Sequence, residues 1–171
     1  MSLPIETDRL ILRQMKIDDI DDLLGIFSDP IAMKYFNIVF DKSQMETWVQ
    51  RNLNHHAQYG YSLYSVILRN NQRLIGDCGL ETTEIEGQLV VGIGYDFLRE
   101  YWNNGYATEA AMAVKNYGFR RYGFQKIYCW INPENIASQR VAEKIGMTLE
   151  KKVLRDNKTY AIFSLSRSGS P

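Results

Sequence analysis

Apolar positions recur along this chain with two periods, every second residue and every third or fourth, and the switches between them predict its elements. Residues 9–15 alternate around Leu10 and Leu12 and read as a first strand. Asp18 is then expected to cap a helix carrying Ile20, Leu23, Leu24 and Phe27 on one face, stopped before Pro30. Ser43 and Glu46 have the spacing of a capping box, opening a helix with Met45, Trp48, Val49, Leu53 and His56 at helical intervals. Residues 61–68 and 73–80 read as strands joined across Asn70-Asn71. A turn at 84–87 leads to a third meander strand at 88–98. The next helix runs to about Tyr122, with Ala107, Ala110, Ala111, Val114 and Gly118 inward and Lys115, Arg120 and Arg121 towards its negative end.

The run KIYCWI at 126–131 is a buried strand, parallel to 88–98 if that helix is a right-handed crossover. Asn132 to Asn135 form a turn and cap before a helix built on Ala137, Val141 and Ile145 and ended by Gly146. Strands at 147–153 and 158–165 close the chain as a hairpin around Asp156-Asn157. The expected fold is α/β (α+β): one domain over residues 1–171, with four helices and a mixed, mostly antiparallel sheet of about seven strands.

Composition narrows the partners. Formal net charge is zero over 171 residues, which argues against nonspecific binding to nucleic acid or an anionic membrane. Any anion site must be built locally. Cys78 and Cys129 lie inside apolar runs without metal-type spacing, so they read as reduced core thiols of a cytoplasmic protein, with no metal expected. Glu6, Asp8 and Arg9 near the start argue against a signal peptide, and no apolar run is long enough for a membrane span. Residues 1–3 and 167–171 read as frayed ends.

One stretch carries candidate chemistry: EYWNNGYATEAA, Glu100 to Ala111, between a strand and a helix. A strand–glycine–helix junction leaves backbone N–H groups unpaired at the positive end of a helix dipole, where anions bind. Gly105 removes the Cβ that would hold a ligand off, and Ala107, Ala110 and Ala111 keep the first turn thin. Junctions of this kind also occur in proteins that bind nothing.

Four segments together resemble the GNAT acetyltransferase superfamily over nearly the whole chain, and most of all its ribosomal-protein N-terminal acetyltransferase branch. They are TDRLILR, IGDCGL, GIGYDFLREYWNNGYATEAA and NPENIASQRVAEKIGM, in the family's order. The resemblance implies a sheet splayed between the fourth and fifth strands, with acetyl-CoA in the gap. On that likeness Phe97, Leu98 and Arg99 pair with pantetheine, and an N–H near Phe97 faces the thioester oxygen. The loop Asn103, Asn104, Gly105, Tyr106, Ala107 and Thr108 holds the pyrophosphate, and Asn135 bonds the pantetheine arm. Strand groups left unpaired by a parting pair would bond the pantetheine amides in the same way. Trp102 stands where the superfamily has Gln or Arg, and Asn103 where this branch has Gly. A homodimer through the C-terminal strands is also implied.

The implied reaction is acetyl transfer from acetyl-CoA to a primary amine, at a protein N-terminus or on a small molecule. It needs a neutral amine, oxyanion stabilisation and a thiolate that leaves. Ala142 stands where many members have a tyrosine acid, so Ser138, in N-x-x-S, is the candidate acid, although it also suits a helix cap. Gly92 stands where the branch often has Glu. The remaining carboxylates are Asp77, Glu81 and Asp96, of which Glu81 is the favoured base, with water as an alternative. Tyr35, Phe36, Tyr59, Tyr61 and Tyr64 are candidates for an aromatic acceptor pocket or for core packing. His55-His56 lacks metal spacing, and His56 reads as core or cleft lining. A CoA-binding module with little catalysis is the alternative function.

Overall fold

In the computed structural model, which describes residues 4–168, the alternating segments assemble into an eight-stranded sheet. The ends expected to fray, residues 1–3 and the final three of 167–171, lie outside the described residues. The strands are β1 (Ile5–Glu6), β2 (Leu10–Gln14), β3 (Leu63–Leu68), β4 (Leu74–Ile85), β5 (Gln88–Phe97), β6 (Lys126–Ile131), β7 (Thr148–Arg155) and β8 (Lys158–Ser166). They lie in the order β1-β2-β3-β4-β5-β6-β8-β7. The helices are α1 (Ile20–Phe27), α2 (Lys42–Tyr59), α3 (Tyr106–Tyr117) and α4 (Ile136–Lys144). Fold class and helix count agree with the sequence reading. The additional strand is β1, whose two residues are too few to show a period.

Helix starts and turns differ in detail from the periodicity. Asp18 falls inside a 3-10 turn, Ile17–Asp19, ahead of α1. The capping box of α2 is Asp41 with Gln44, two residues before the expected pair. The Asp41 carboxylate accepts from Gln44 N at 2.8 Å, and Gln44 Oε1 accepts from Asp41 N at 2.9 Å. Both boxes fit the local sequence, and the chain uses the one that leaves Met45 and Val49 fully buried. At the β3–β4 turn the left-handed residue is Gln72, not an asparagine. β4 runs on to Ile85, so its hairpin turns tightly at Glu86-Gly87. Asp156 and Asn157 both have positive φ, as a two-residue hairpin loop requires.

The helices cover the two faces differently. On one face, α3 and α4 pack Ala110, Ala111, Val114 and Ala142 against Cys78, Leu80, Ile93 and Ile127. Gly118 follows α3 in a π-helical turn, where an added Cβ would sit 2.8 Å from Leu80 Cδ1. On the other face, α1 and α2 bury Leu23, Met45 and Val49 against Leu63 and Ile67. A smaller cluster of Ile85, Val153 and Ile162 forms at the C-terminal end of the sheet. Because α3 is a crossover, β5 and β6 run parallel, while every other neighbouring pair is antiparallel.

A buried ion pair ties α1 to the sheet. The Asp19 carboxylate takes both Arg13 guanidinium nitrogens at 2.7 Å, the Ser65 hydroxyl at 2.7 Å and Lys16 N at 2.9 Å. Burial acts to raise the Asp19 carboxyl, but these donors outweigh it and hold it below its ordinary value. A depressed carboxyl contributes stability above its unfolded value, and that contribution is lost as pH falls through the folded one. Asp19→Asn should therefore lower the urea midpoint at pH 7 by the equivalent of about 3 kcal/mol. The deficit against wild type should shrink on acidification.

Candidate functional site

β5 and β6 share a single register pair, Gly92 with Tyr128, whereas β4 and β5 stay paired from Gly76–Phe97 to Ile85–Gln88. Past Gly92 the parallel strands separate. Leu98 N donates to Ile75 O at 2.9 Å, so alternation turns the peptide groups of even-numbered β5 residues towards β4. Those of Tyr95 and Phe97 turn towards the opening. The Phe97 carbonyl accepts Trp102 Nε1 at 2.8 Å, which gives Trp102 a role in shaping the rim. Leu98 O accepts Tyr101 N and Arg99 O accepts Trp102 N, so Leu98 has both backbone groups engaged within the chain. The Arg99 guanidinium pairs with Asp29 at 3.1 Å.

The loop at the end of the crevice is built from left-handed residues. Asn103 has φ 61° and Gly105 has φ 78°. Asn tolerates this geometry better than most residues, so its exchange for glycine leaves the loop formed. Gly105 is the N-cap of α3 and supplies no side chain to the first turn, leaving the N–H groups of Tyr106, Ala107 and Thr108 without a capping side chain. Asn104 Nδ2 closes the loop on the carbonyls of Tyr101 and Trp102, at 3.2 and 2.8 Å.

Residues far away in sequence brace this loop. Arg9 donates to Asn104 O at 2.9 Å and to Glu109 at 2.6 Å, and its guanidinium lies 4.4 Å from the centre of the Tyr106 ring. Thr7 Oγ1 also donates to Glu109, at 2.6 Å. Burial acts to raise the Glu109 carboxyl, but Thr7 and Arg9 hold it below its ordinary value. Glu109 is thus a tether between the first strands and α3.

On the far wall, Asn135 Oδ1 accepts Ser138 N at 3.1 Å and caps α4. Tyr95 reaches across from β5: its hydroxyl donates to Ser138 O at 2.8 Å and lies 3.1 Å from Ser138 Oγ. With its proton committed to the carbonyl, the Tyr95 oxygen receives the Ser138 hydroxyl. Burial raises the Tyr95 phenol, so it stays protonated. Sequence reasoning passed over Tyr95, although its place three residues beyond Gly92 was available as a signal. Ala142 is fully buried.

The opposite face of β4 and β5 carries carboxyl groups. Period-two alternation puts Asp77, Gly79 and Glu81 on one side of β4, facing Asp96, Gly94 and Gly92 in register. Glu81 lies directly across from Gly92, with its Cγ 3.8 Å from where a Cβ of residue 92 would be. It is open to solvent yet crowded by neighbouring strands, and that crowding raises its carboxyl against the pull of Arg51 and His55. Asp77 is fully buried, and neither of its oxygens has a hydrogen-bond partner. Burial, then Asp96 and Glu81, push it well up. Burial, then Glu81, raise half-buried Asp96 to about 6.

The aromatic candidates divide. Tyr61 and Tyr64 are buried against the α3 side, while Phe36 is exposed on the α1–α2 connection. Tyr61 and Tyr64 are therefore core: strand alternation turns Tyr64 inward, and Tyr61, ahead of β3, packs edge-on against Tyr122 and Phe124. His55 Nε2 accepts Thr82 N at 3.1 Å, which puts the ring proton on Nδ1, 2.8 Å from Tyr61 O. His55 thus pins α2 to β4, and His56 Nδ1 lies 3.2 Å from Ser62 Oγ. Among the described residues no three His, Cys, Asp or Glu side chains converge as metal ligands, and no helix is long and apolar enough to cross a membrane.

Known proteins share this architecture. The uncharacterised protein YkkB of Bacillus subtilis (strain 168) is 42% identical over 158 residues, covering 92% of each chain. A GNAT-family acetyltransferase structure from Bacillus anthracis superposes with a TM-score of 0.82 at 29% identity, covering 96% of this chain and 98% of that one. RimL, a ribosomal L7/L12 alpha-N-protein acetyltransferase solved in complex with coenzyme A, has the same fold (TM-score 0.80, 18% identity, covering 98% and 100%). The acetyltransferase (GNAT) domain family matches residues 9–148. With the parted strands and left-handed loop where such a domain needs them, the chain belongs to the GNAT acetyltransferase family, enzymes that transfer an acetyl group.

Proposed function

We propose that this enzyme takes acetyl-CoA as donor and a primary amine as acceptor, and acts in the cytoplasm. The observation that carries the reading is the lone register pair between β5 and β6, which leaves backbone groups of Tyr95 and Phe97 facing a gap. The groups of Tyr95 and the N–H of Phe97 fit pantetheine amides, in place of the pairing expected at Leu98, which carries the thioester back along β5 towards Gly92. Arg99 flanks the arm. Backbone donors of Asn103, Asn104, Gly105, Tyr106, Ala107 and Thr108 suit a pyrophosphate at the N-terminus of α3, and Asn135 keeps its amide nitrogen for the pantetheine arm. Bound acetyl-CoA would supply an activated thioester. Likeness to the ribosomal-protein branch is one fold likeness among several, so the acceptor is argued from the site.

Glu81 is the proposed base. The carboxylate that the branch often has at position 92 is missing here, and Glu81 lies over that same glycine from the neighbouring strand. The row Glu81–Gly92–Tyr128 crosses the sheet where the crevice begins. A carboxyl raised towards neutrality is a better proton acceptor than an ordinary one. Ser138 is the proposed acid in the sense of a hydrogen-bond donor: its hydroxyl, held on Tyr95, turns to the departing thiolate, which takes its proton from solvent. A thiol with pKa of about 8.5 leaves readily, so this help is modest. A CoA-binding module with little catalysis remains the rival, and turnover separates the two.

Thiol release from acetyl-CoA against an amine panel tests the whole reading; binding without turnover on any amine would favour the rival. Glu81→Gln should lower kcat about 100-fold. It should also remove the acidic limb of the rate profile, which in wild type lies above the ordinary carboxylate range because the folded carboxyl is raised. Ser138→Ala should lower kcat about 10-fold, and Tyr95→Phe should add little on top of it; additive losses would break the proposed coupling. Arg9→Ala, far from the reacting atoms, should weaken acetyl-CoA binding about 10-fold by calorimetry, with kcat nearly unchanged.

A further inference from the structure

Asp77 and Asp96 face each other across β4 and β5, and the reading so far assigns them nothing. Like charges directly opposite in a sheet repel, and a fully buried carboxyl with no donor is strongly disfavoured. The nearby cations are engaged: Arg13 is held by Asp19, and Ser65, opposite Asp77 on β3, also donates to Asp19. Arg51 and His55 lie towards Glu81 instead. No three carboxylates converge among the described residues, so the arrangement does not suit a metal ion. It suits an organic ammonium resting on Asp96, with the sealed, donor-free carboxyl of Asp77 behind.

Asp77 and Glu81 are four residues apart on one face of β4, about 13 Å at about 3.3 Å per residue. Between them lie Gly79 and Gly94, with Leu63 Cδ2 3.4 Å from where a Cβ of Gly94 would be. The face therefore reads carboxyl, aliphatic, carboxyl. Resting on the acetyltransferase reading above, we propose that the acceptor is a diamine or polyamine, with one nitrogen at Glu81 for reaction and a second, charged nitrogen at Asp96.

Two probes of equal chain length differ only in the second charge: 1,5-diaminopentane and pentylamine. The diamine should show a kcat/KM at least about 10-fold higher, the worth of one charge-assisted contact. Asp96→Asn should bring that ratio towards one, mainly through the KM of the diamine. Asp77→Asn should raise the melting temperature at pH 8 and less so at pH 4. A raised carboxyl loses stability as pH climbs from its unfolded value, and the amide removes that loss. Equal use of both amines, or an unchanged ratio in Asp96→Asn, overturns the proposal and leaves amine acetylation standing. If neither amine turns over, calorimetry with 1,5-diaminopentane in the presence of coenzyme A decides. Binding lost in Asp96→Asn keeps the cation site while the acetylation reading falls, and absence of binding removes the site.

Discussion

A strand pair that begins and then parts is the constraint on which the rest of this molecule depends. Parallel strands need a crossover, and here α3 provides it, packing Ala110, Ala111 and Val114 flat against Leu80 and Ile127. The small residues let the helix lie close, and its N-terminus is carried to the end of β5. Had β5 and β6 stayed paired along their length, the groups of Tyr95 and Phe97 would be spent on β6. Because they part after Gly92, backbone hydrogen-bonding capacity is left open beside the end of a helix dipole. One feature of topology thus supplies both the amide-pairing edge and the anion end of the crevice.

An open crevice needs walls held from elsewhere. Arg9, Thr7 and Glu109 tie the first two strands to the loop and to the first turn of α3, across about a hundred residues of sequence. On the other side Tyr95 holds α4 to β5 across the gap, so the parted strands stay connected by side chains where backbone pairing has stopped. His55 does the same for α2 and β4. Each tie joins elements that lie far apart in sequence.

Much of this was legible in the sequence, for physical reasons that differ by element. Strands β3 to β6 and helices α2 to α4 declare themselves because each buries one face, and burial imposes a period. The Gly105 loop is legible because left-handed backbone restricts residue choice, and Asn103 is the choice that remains when glycine is absent. The helix starts were less so: Asp41-Gln44 and Ser43-Glu46 satisfy the same local rule, and only the packing of Met45 and Val49 selects between them. Tyr95 stayed hidden because its importance lies in reaching Ser138, forty-three residues on, a contact that no local pattern encodes. Backbone commitments such as Leu98 to Ile75 depend on register, which composition does not carry.

On the carboxyl face, cross-strand register brings Glu81 level with the bare backbone of Gly92. Gly92 presents no side chain at the mouth of the crevice, and Thr83 and Glu81 of β4 lie against the space. Position along the sheet, rather than position along the chain, is what chemistry requires of a base, and cross-strand register makes two positions equivalent. The same logic applies one end further on. Gly94 opposes Gly79, and the bare backbone there lets Leu63 reach over and separate Glu81 from Asp77 and Asp96. Three glycine and carboxyl choices on β4 thus have their counterparts directly across on β5, and a core-packing role explains none of the carboxyls. A fold that needed only stability would fill Asp77 with an apolar side chain, since burying an unpaired carboxyl is the least favourable use of that volume. Its presence beside an open crevice is a burden on stability, and such burdens collect where a protein must bind.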